Sequence, residues 1–469
     1  MNTRFLTASV PRNALIPFFS FGQVIQWYLY VILSSLLLGI ALLVSAAYVP
    51  LVGISKVAAG SDHACALTNS GGVKCWGHNN LGQLGNGSFV DSLTAVNVSG
   101  LISGVADIAV GYAHSCAVTI SGDVKCWGGN NDGQLGNNST TDSPIPVVSG
   151  LTSGVAIGVG AGDYHTCALT TGGGVKCWGG NSLGANGTGA PSLTPVDVSG
   201  LTSGVSAIGV MSFGGCALIS GGMQCWGENI YGQLGDGSTA DHLAPVVSTL
   251  TTDVSAMAVD RYHACALLIS TGGIKCWGLN DSGQLGDSFT TDRSTPDDVS
   301  GLTSGVAAIA VGYYHSCALT PGGGMKCWGK NDYGQLGDGT TTNRLTWVNS
   351  SFASGVSTVA MAFGYTCAVM TAGGGVKCWG YNNYGKLGNN TTTDSLTPVD
   401  VLIDDTPPTA TGVSISLDPG IPLRNVGEVL TAILIMKKLA AFDGFQRSGK
   451  TLQHKIHQGI PTVKIQITG

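Results

Sequence analysis

Fourteen cysteines, a recurring histidine slot and a series of Asp/Asn-rich turns are the residues of this 469-residue chain whose types could do chemistry. The cysteines fall into seven pairs with none left over: Cys65 with Cys75, Cys116 with Cys126, Cys167 with Cys177, Cys216 with Cys225, Cys265 with Cys276, Cys317 with Cys327, and Cys367 with Cys378. Such pairs could bridge, ligate zinc or lie buried as thiols. Four-ligand zinc sites usually carry cysteines two residues apart, a spacing absent here. Each pair brackets a Gly-containing turn, so two antiparallel strands meeting there set the cysteines opposite each other. A non-hydrogen-bonded pair has its Cα atoms about 4.5 Å apart, inside disulfide range. The separations run from nine to eleven residues, and the variation falls in the turn. Seven disulfides are expected, each contributing roughly 2–3 kcal/mol in the chain-entropy model. They imply an oxidising compartment.

His63, His114, His165, His263 and His315 occupy one slot, two residues before a cysteine, in five repeats of seven. They could form a metal ring or supply a catalytic base. A catalytic group is needed once, however, so a residue repeated from unit to unit is expected to serve the unit as a turn or hydrogen-bonding histidine. Runs such as G-Q-L-G-D-G-T-T-T-D resemble calcium loops, but the acid lapses, with Asp338 in one repeat and Asn86 or Asn137 in others. Turn chemistry explains them as well. No unique Ser/His/Asp or Cys/His set stands out, and no paired carboxylates at a non-repeated site. The expectation is therefore no catalytic residue, no metal and no cofactor. Asn86, Asn138, Asn186, Asn349 and Asn390 open N-x-S/T sequons, which arise readily by chance in turns of this composition.

The elements that position these residues show in the tryptophans. Trp76, Trp127, Trp178, Trp226, Trp277, Trp328 and Trp379 recur every 51 residues, with one gap of 48. Each sits in C-W-G, followed by x-N-x-x-G. Short apolar runs such as 307–311, 317–320 and 324–328 are bounded by Gly, Asn and Asp, which are strand and turn signals. With the P-V-x-V segment, each unit offers about four strands. Seven such units predict an all-β fold, a seven-bladed propeller whose radial closure protects strand edges.

The recurring H-x-C-A-L, C-W-G-x-N and G-Q-L-G motifs resemble the repeat of the regulator of chromosome condensation family over residues 57–401, about three quarters of the chain. Gly214 and Tyr365 depart from the repeat histidine, and Ala185 and Lys386 from the repeat glutamine. The resemblance implies a seven-bladed propeller. The family's nuclear member exchanges nucleotide on a small GTPase, whereas an exported chain looks closer to a bacterial β-lactamase inhibitor protein of the same fold, which acts purely by binding.

What the units share builds the blade, and what differs at exposed turns is free for function. Two positions before the histidine slot vary and are often aromatic: Tyr112, Tyr164, Phe213, Tyr262, Tyr313, Tyr314 and Phe363. The same loop in every blade falls on one face, so these rings should circle one mouth and offer anchors for a protein or sugar ligand. Asp62, Asp163 and Arg261 interleave with them. Packing of the rings between blades is the competing expectation.

Charged residues make up 10% of the chain. Residues 51–403 hold 12 Lys/Arg and 22 Asp/Glu, a balance of −10 that argues against a nucleic-acid partner. Residues 1–26 read as a cytoplasmic leader, and 27–49 as an uncharged hydrophobic helix, either signal peptide or membrane anchor. The propeller is expected over 51–402. Residues 403–436 resemble the start of an immunoglobulin-like module, too short to complete one, and 437–469 a basic tail without regular structure. The chain is expected to be a monomeric, non-enzymatic binding scaffold, secreted or at the cell surface, with an enzyme inhibitor of the same fold as the alternative. A polysaccharide-cleaving enzyme or a GTPase exchange regulator ranks below both.

Overall fold

A computed structural model of the chain describes residues 48–152 and 155–404, with three short strands beyond them, Val413–Ser416, Thr451–His454 and Val463–Ile467. Residues 1–47, where the hydrophobic helix is expected, lie outside the described residues. The end of that apolar run, Tyr48 and Val49, belongs to a strand, Tyr48–Pro50. Among the described residues no helix is long and apolar enough to cross a membrane. The three C-terminal strands form an antiparallel sheet in a unit separate from 48–404. Two of them lie in the basic tail, for which the sequence predicts none.

Residues 48–404 form a seven-bladed propeller, and each blade is one uninterrupted repeat of four antiparallel strands. In the first blade the strands are Ile54–Ala59, His63–Thr68, Val73–Gly77 and Ser92–Asn97, from the channel outwards. The second strand is buried at all but its last position, because each of its faces meets other side chains of the ring. That explains the unbroken run of small apolar residues in H-x-C-A-L. The outermost strands carry exposed positions.

All seven cysteine pairs are disulfides, one per blade. Cys65 is bonded to Cys75, Cys116 to Cys126, Cys167 to Cys177 and Cys216 to Cys225. Cys265 is bonded to Cys276, Cys317 to Cys327 and Cys367 to Cys378. No cysteine is left free, so the zinc and buried-thiol alternatives have no residues to use. In every blade the two partners stand directly opposite in the ladder. Their Cα atoms are 4.1 Å apart, somewhat closer than the separation expected from an unbridged strand pair. The nine-residue separation of Cys216 and Cys225 has a local cause. There Ile219 pairs with Gly222 across a two-residue loop, and Ser220 and Gly221 both have positive φ, 52° and 77°. That is the tight hairpin turn matching strand twist.

Neighbouring blades are joined by the repeat's own side chains. The Trp127 indole donates to the Gln83 carbonyl at 2.9 Å, and Trp178, Trp277, Trp328 and Trp379 do the same across their seams. Gly85, the last glycine of G-Q-L-G, lets this indole in, because a Cβ there would stand 2.7 Å from the Trp127 ring. The histidines act here too. His63 Nε2 lies 2.8 Å from Ser115 Oγ of the next blade, His114 2.8 Å from Thr166, His263 2.7 Å from Ser316 and His315 2.9 Å from Thr366. His165 meets the Gly214 carbonyl at 3.2 Å, since the next blade has glycine at the hydroxyl position.

The ring closes outside the blades. Tyr48–Pro50 pairs antiparallel with Leu402–Asp404, which runs parallel to the outer strand of blade one, extending that blade to six strands. Leu51 N donates to the Val401 carbonyl and Val376 N to the Leu51 carbonyl. Leu51, Ile54, Trp76, Tyr365, Val376 and Val401 share one buried cluster spanning blades seven and one.

Candidate functional site

The loop between the first and second strands of each blade turns tightly, as when Gly60 N donates to the His63 carbonyl at 2.9 Å. The repeat fixes these ends and leaves the tip free. The residue after each C-W-G donates its amide to the same tip: His78 N to Asp62 O, Glu228 N to Phe213 O and Tyr381 N to Gly364 O. Two variable loops per blade thus share one face, around a channel lined by the first strands of all seven blades. The channel cavity is about 140 Å³. That is small beside the roughly 300–1,000 Å³ of ordinary small-molecule pockets, so a large ligand would rest on the mouth.

The rings form a chain around it. Tyr112 lies 6.3 Å from Tyr164 between centroids, and Tyr164 5.9 Å from Phe213. Arg261 bridges the next gap, its guanidinium 5.1 Å from Phe213 and 5.0 Å from Tyr262. Tyr262 then touches Tyr313 and Tyr314, and Tyr313 touches Phe363. The structure brings all seven aromatic candidates onto one face but divides their roles. Tyr112 and Tyr164 are 44% and 38% exposed. Phe213, Tyr262, Tyr314 and Phe363 are half-buried. Tyr313 is only 8% exposed, and its hydroxyl lies 2.6 Å from Ser61 Oγ and donates to Asp163 at 3.2 Å. Tyr313 is thus enclosed at the channel and not offered to solvent.

The polar candidates form a network that no repeat supplies. Buried Asp163 accepts from Arg261 Nη1 at 3.0 Å. Burial raises its pKa, and the Arg261 charge works against that rise. Asp260 is half-buried, lines the channel and accepts from Arg261 N at 2.7 Å; desolvation there raises it well above the usual carboxylate range. Asp62 accepts from Lys386 Nζ at 3.1 Å. The sequence shows no paired carboxylates at a non-repeated site, yet folding brings Asp163 and Asp260, 97 residues apart in the chain, close enough to interact. Asp163 is already engaged by Arg261 and Tyr313.

Sequence reasoning missed the second loop. Tyr231, Tyr333, Tyr381, Tyr384, His78 and Glu228 all contribute to this face; Tyr231 packs on Tyr262, Tyr381 on Phe363 and Tyr333, and Tyr384 stacks on His78 at 4.0 Å. The same internal comparison, applied to the slots after C-W-G, carries the signal. Lys386 was also legible as a departure but not as a site: fully buried, its ammonium donates to the Ser61 and Phe363 carbonyls as well as Asp62. Burial lowers its pKa and Asp62 opposes this.

The other sequence candidates have structural work. Burial pushes the pKa of His63, His114, His263 and His315 down to about 3, and of His165 to about 4, so they stay neutral. Among the described residues no group of His, Cys, Asp or Glu is arranged to hold a metal. In the calcium-like turns Asp338 Oδ1 accepts from Thr340 N, and Asn86 Oδ1 accepts from Ser88 N in the same way. Either residue serves the turn, which explains why the acid lapses. The sequon residue Asn186 is fully buried and donates to the Ala190 carbonyl, so its amide is closed to a glycan.

Fold and site define a disulfide-stapled repeat propeller with one elaborated loop face. The chain belongs to the Regulator of chromosome condensation (RCC1) repeat family, whose repeat matches residues 70–118, 121–169, 220–267, 272–319 and 323–370, with a second form at 54–83, 105–134, 156–185, 254–284 and 306–335. It is 32% identical over 302 residues to the Ultraviolet-B receptor UVR8 of Arabidopsis thaliana, covering 62% of this chain and 68% of that protein. It is 30% identical over 306 residues to the E3 ubiquitin-protein ligase HERC2 of Homo sapiens, 62% of this chain but only 5% of that protein. The solved structure of Prp20p from Saccharomyces cerevisiae, described with that protein's binding to Gsp1p and histones, superposes with TM-score 0.63 at 20% identity over 78% of this chain and 90% of its own. That likeness is one of fold. Propellers of this family are typically binding or regulatory scaffolds.

Proposed function

We propose that this propeller is an exported scaffold that binds a protein through its aromatic mouth. One observation carries the reading: an arc of non-repeated rings on one face, bridged at one point by Arg261, with Tyr112 and Tyr164 open to solvent. Rigid amphipathic rings bind at little entropic cost. Protein rather than carbohydrate is favoured because Prp20p, of the same fold, is described with protein partners. Export rests on the seven disulfides and the apolar run at 27–49.

Capture of a partner by the full chain should be lost in a variant carrying both Tyr112→Ala and Tyr164→Ala, with a melting temperature that stays within a few degrees of the parent. Undiminished capture by that variant sinks the reading. Tyr313→Ala is the wrong probe, because its hydroxyl belongs to the Asp163–Ser61 network. A reporter fused after Asp404 should appear outside the cytosolic fraction; full retention in the cytosol overturns export.

A further inference from the structure

We infer that the mouth recognises basic side chains of its protein partner, and that Tyr112, Tyr164 and Asp132 form the position that receives one. This rests on the scaffold reading above and names the chemistry of the partner.

Three cations of the chain already show how this face holds positive charge. Arg261 lies 5.1, 5.0 and 5.8 Å from the Phe213, Tyr262 and Tyr313 rings and is bonded to Asp163. Lys386 lies 5.5, 5.1 and 4.4 Å from Phe363, Tyr365 and Tyr381 and is bonded to Asp62. Lys330 lies 5.1 Å from Tyr314 and 3.3 Å from Asp332. Each is a ring face plus a carboxylate, the combination that suits an ammonium or guanidinium group.

At the other end of the arc the same parts stand open. Tyr112 and Tyr164 are tilted by 33° and are the most exposed rings of the first-loop set. Asp132 is exposed, and it flanks Gly180 together with Tyr164: a Cβ at Gly180 would lie 3.3 Å from Tyr164 Cβ and 3.4 Å from Asp132 Cβ. Among the described residues neither ring has a Lys or Arg of the chain stacked on it. The formal charge of −10 over residues 51–403 favours approach of a basic segment.

The probe is a fluorescein-labelled tetra-arginine peptide, with tetra-citrulline and tetra-glutamate peptides as controls, titrated into the full chain by fluorescence polarisation. Tetra-arginine should bind and both controls should bind at least ten-fold more weakly. The pair Tyr112→Leu with Tyr164→Leu, which keeps apolar surface and removes the ring faces, should weaken tetra-arginine by about two- to five-fold or more. Asp132→Asn should weaken it about two-fold or more. Near-ultraviolet circular dichroism checks that the variants stay folded. Equal binding of tetra-citrulline, or affinity unchanged in the folded Leu pair, overturns the proposal. If the Ala pair at 112 and 164 loses its partner while the Leu pair leaves tetra-arginine untouched, only the basic-partner inference fails. If partner capture survives that Ala pair, the scaffold reading itself fails.

Discussion

Tyr365 stands in the slot that holds histidine in five repeats, and the reason lies across the seam at position 64. Where a histidine bonds a side chain of the next blade, that blade supplies Ser115, Thr166, Ser316 or Thr366. Blade one has Ala64 there, and Tyr365 instead reaches the Gly60 and His63 carbonyls at 3.0 and 2.9 Å. Gly214 faces the same situation, because the following blade has Ala264. Tyr365→His should therefore leave a buried ring nitrogen without a partner and destabilise the fold by about 1–3 kcal/mol. Adding Ala64→Ser should restore part of the loss, since the Lys386 carbonyl is placed to accept from the new hydroxyl as the Gln83 carbonyl does from Ser115. Chemical unfolding of the four combinations reads the coupling, and strict additivity would refute it. The ten loop-face candidates were legible because they vary within a constant frame; their division into open Tyr112 and Tyr164, buried Tyr313 and ion-paired Asp163 was not, since it depends on neighbours one to three blades away.

At the scale of elements, two substitutions explain two irregular loops. In five blades the repeat glutamine accepts from an amide two residues earlier, as Gln83 Oε1 does from Leu81 N. In blades three and seven that residue is Ala185 or Lys386, and there the residue two earlier, Leu183 or Tyr384, turns left-handed with φ of 56° or 60°. The hairpins bearing the disulfides lie in the best-covered part of each blade, and every cysteine is at most 1% exposed. A reductant must reach a sulfur to attack it. Native protein in millimolar dithiothreitol should retain all seven bridges, counted by mass after alkylation, and lose them once denaturant is added. Rapid native reduction would show that the blades open far more readily than their packing indicates.

Over the whole molecule the buried histidines couple stability to pH. Each is held neutral in the fold, with its pKa lowered from 6.5 to about 3, or to about 4 for His165. The unfolded chain binds protons at these rings below pH 6.5 and the folded chain does not, so their contribution is full above 6.5 and is lost as pH falls towards those lowered values. Asp163 and Asp260, raised by burial, bind protons in the fold and offset part of this. Unfolding midpoints should fall steeply between about pH 6 and pH 4, with at most about five protons taken up at the histidines. A flat profile across that range would show the rings to be solvated. Closure acts at the same scale: hydrophobic matching, Lys386, Tyr365 and the paired strands at 48–50 and 402–404 all join the last blade of the propeller to the first.

Periodicity alone determined the blade count, the strand content and the cysteine partners, because each is a local pattern recurring every 51 residues and needing only a short hairpin to express it. The tertiary structure decided how the ring closes, why positions 365 and 386 depart from the repeat, and which rings face solvent. Those features depend on contacts between residues as far apart as Ser61 and Lys386, 325 positions along the chain. A repeat pattern describes every blade alike, and the mouth is built from the places where the blades differ once the circle is closed.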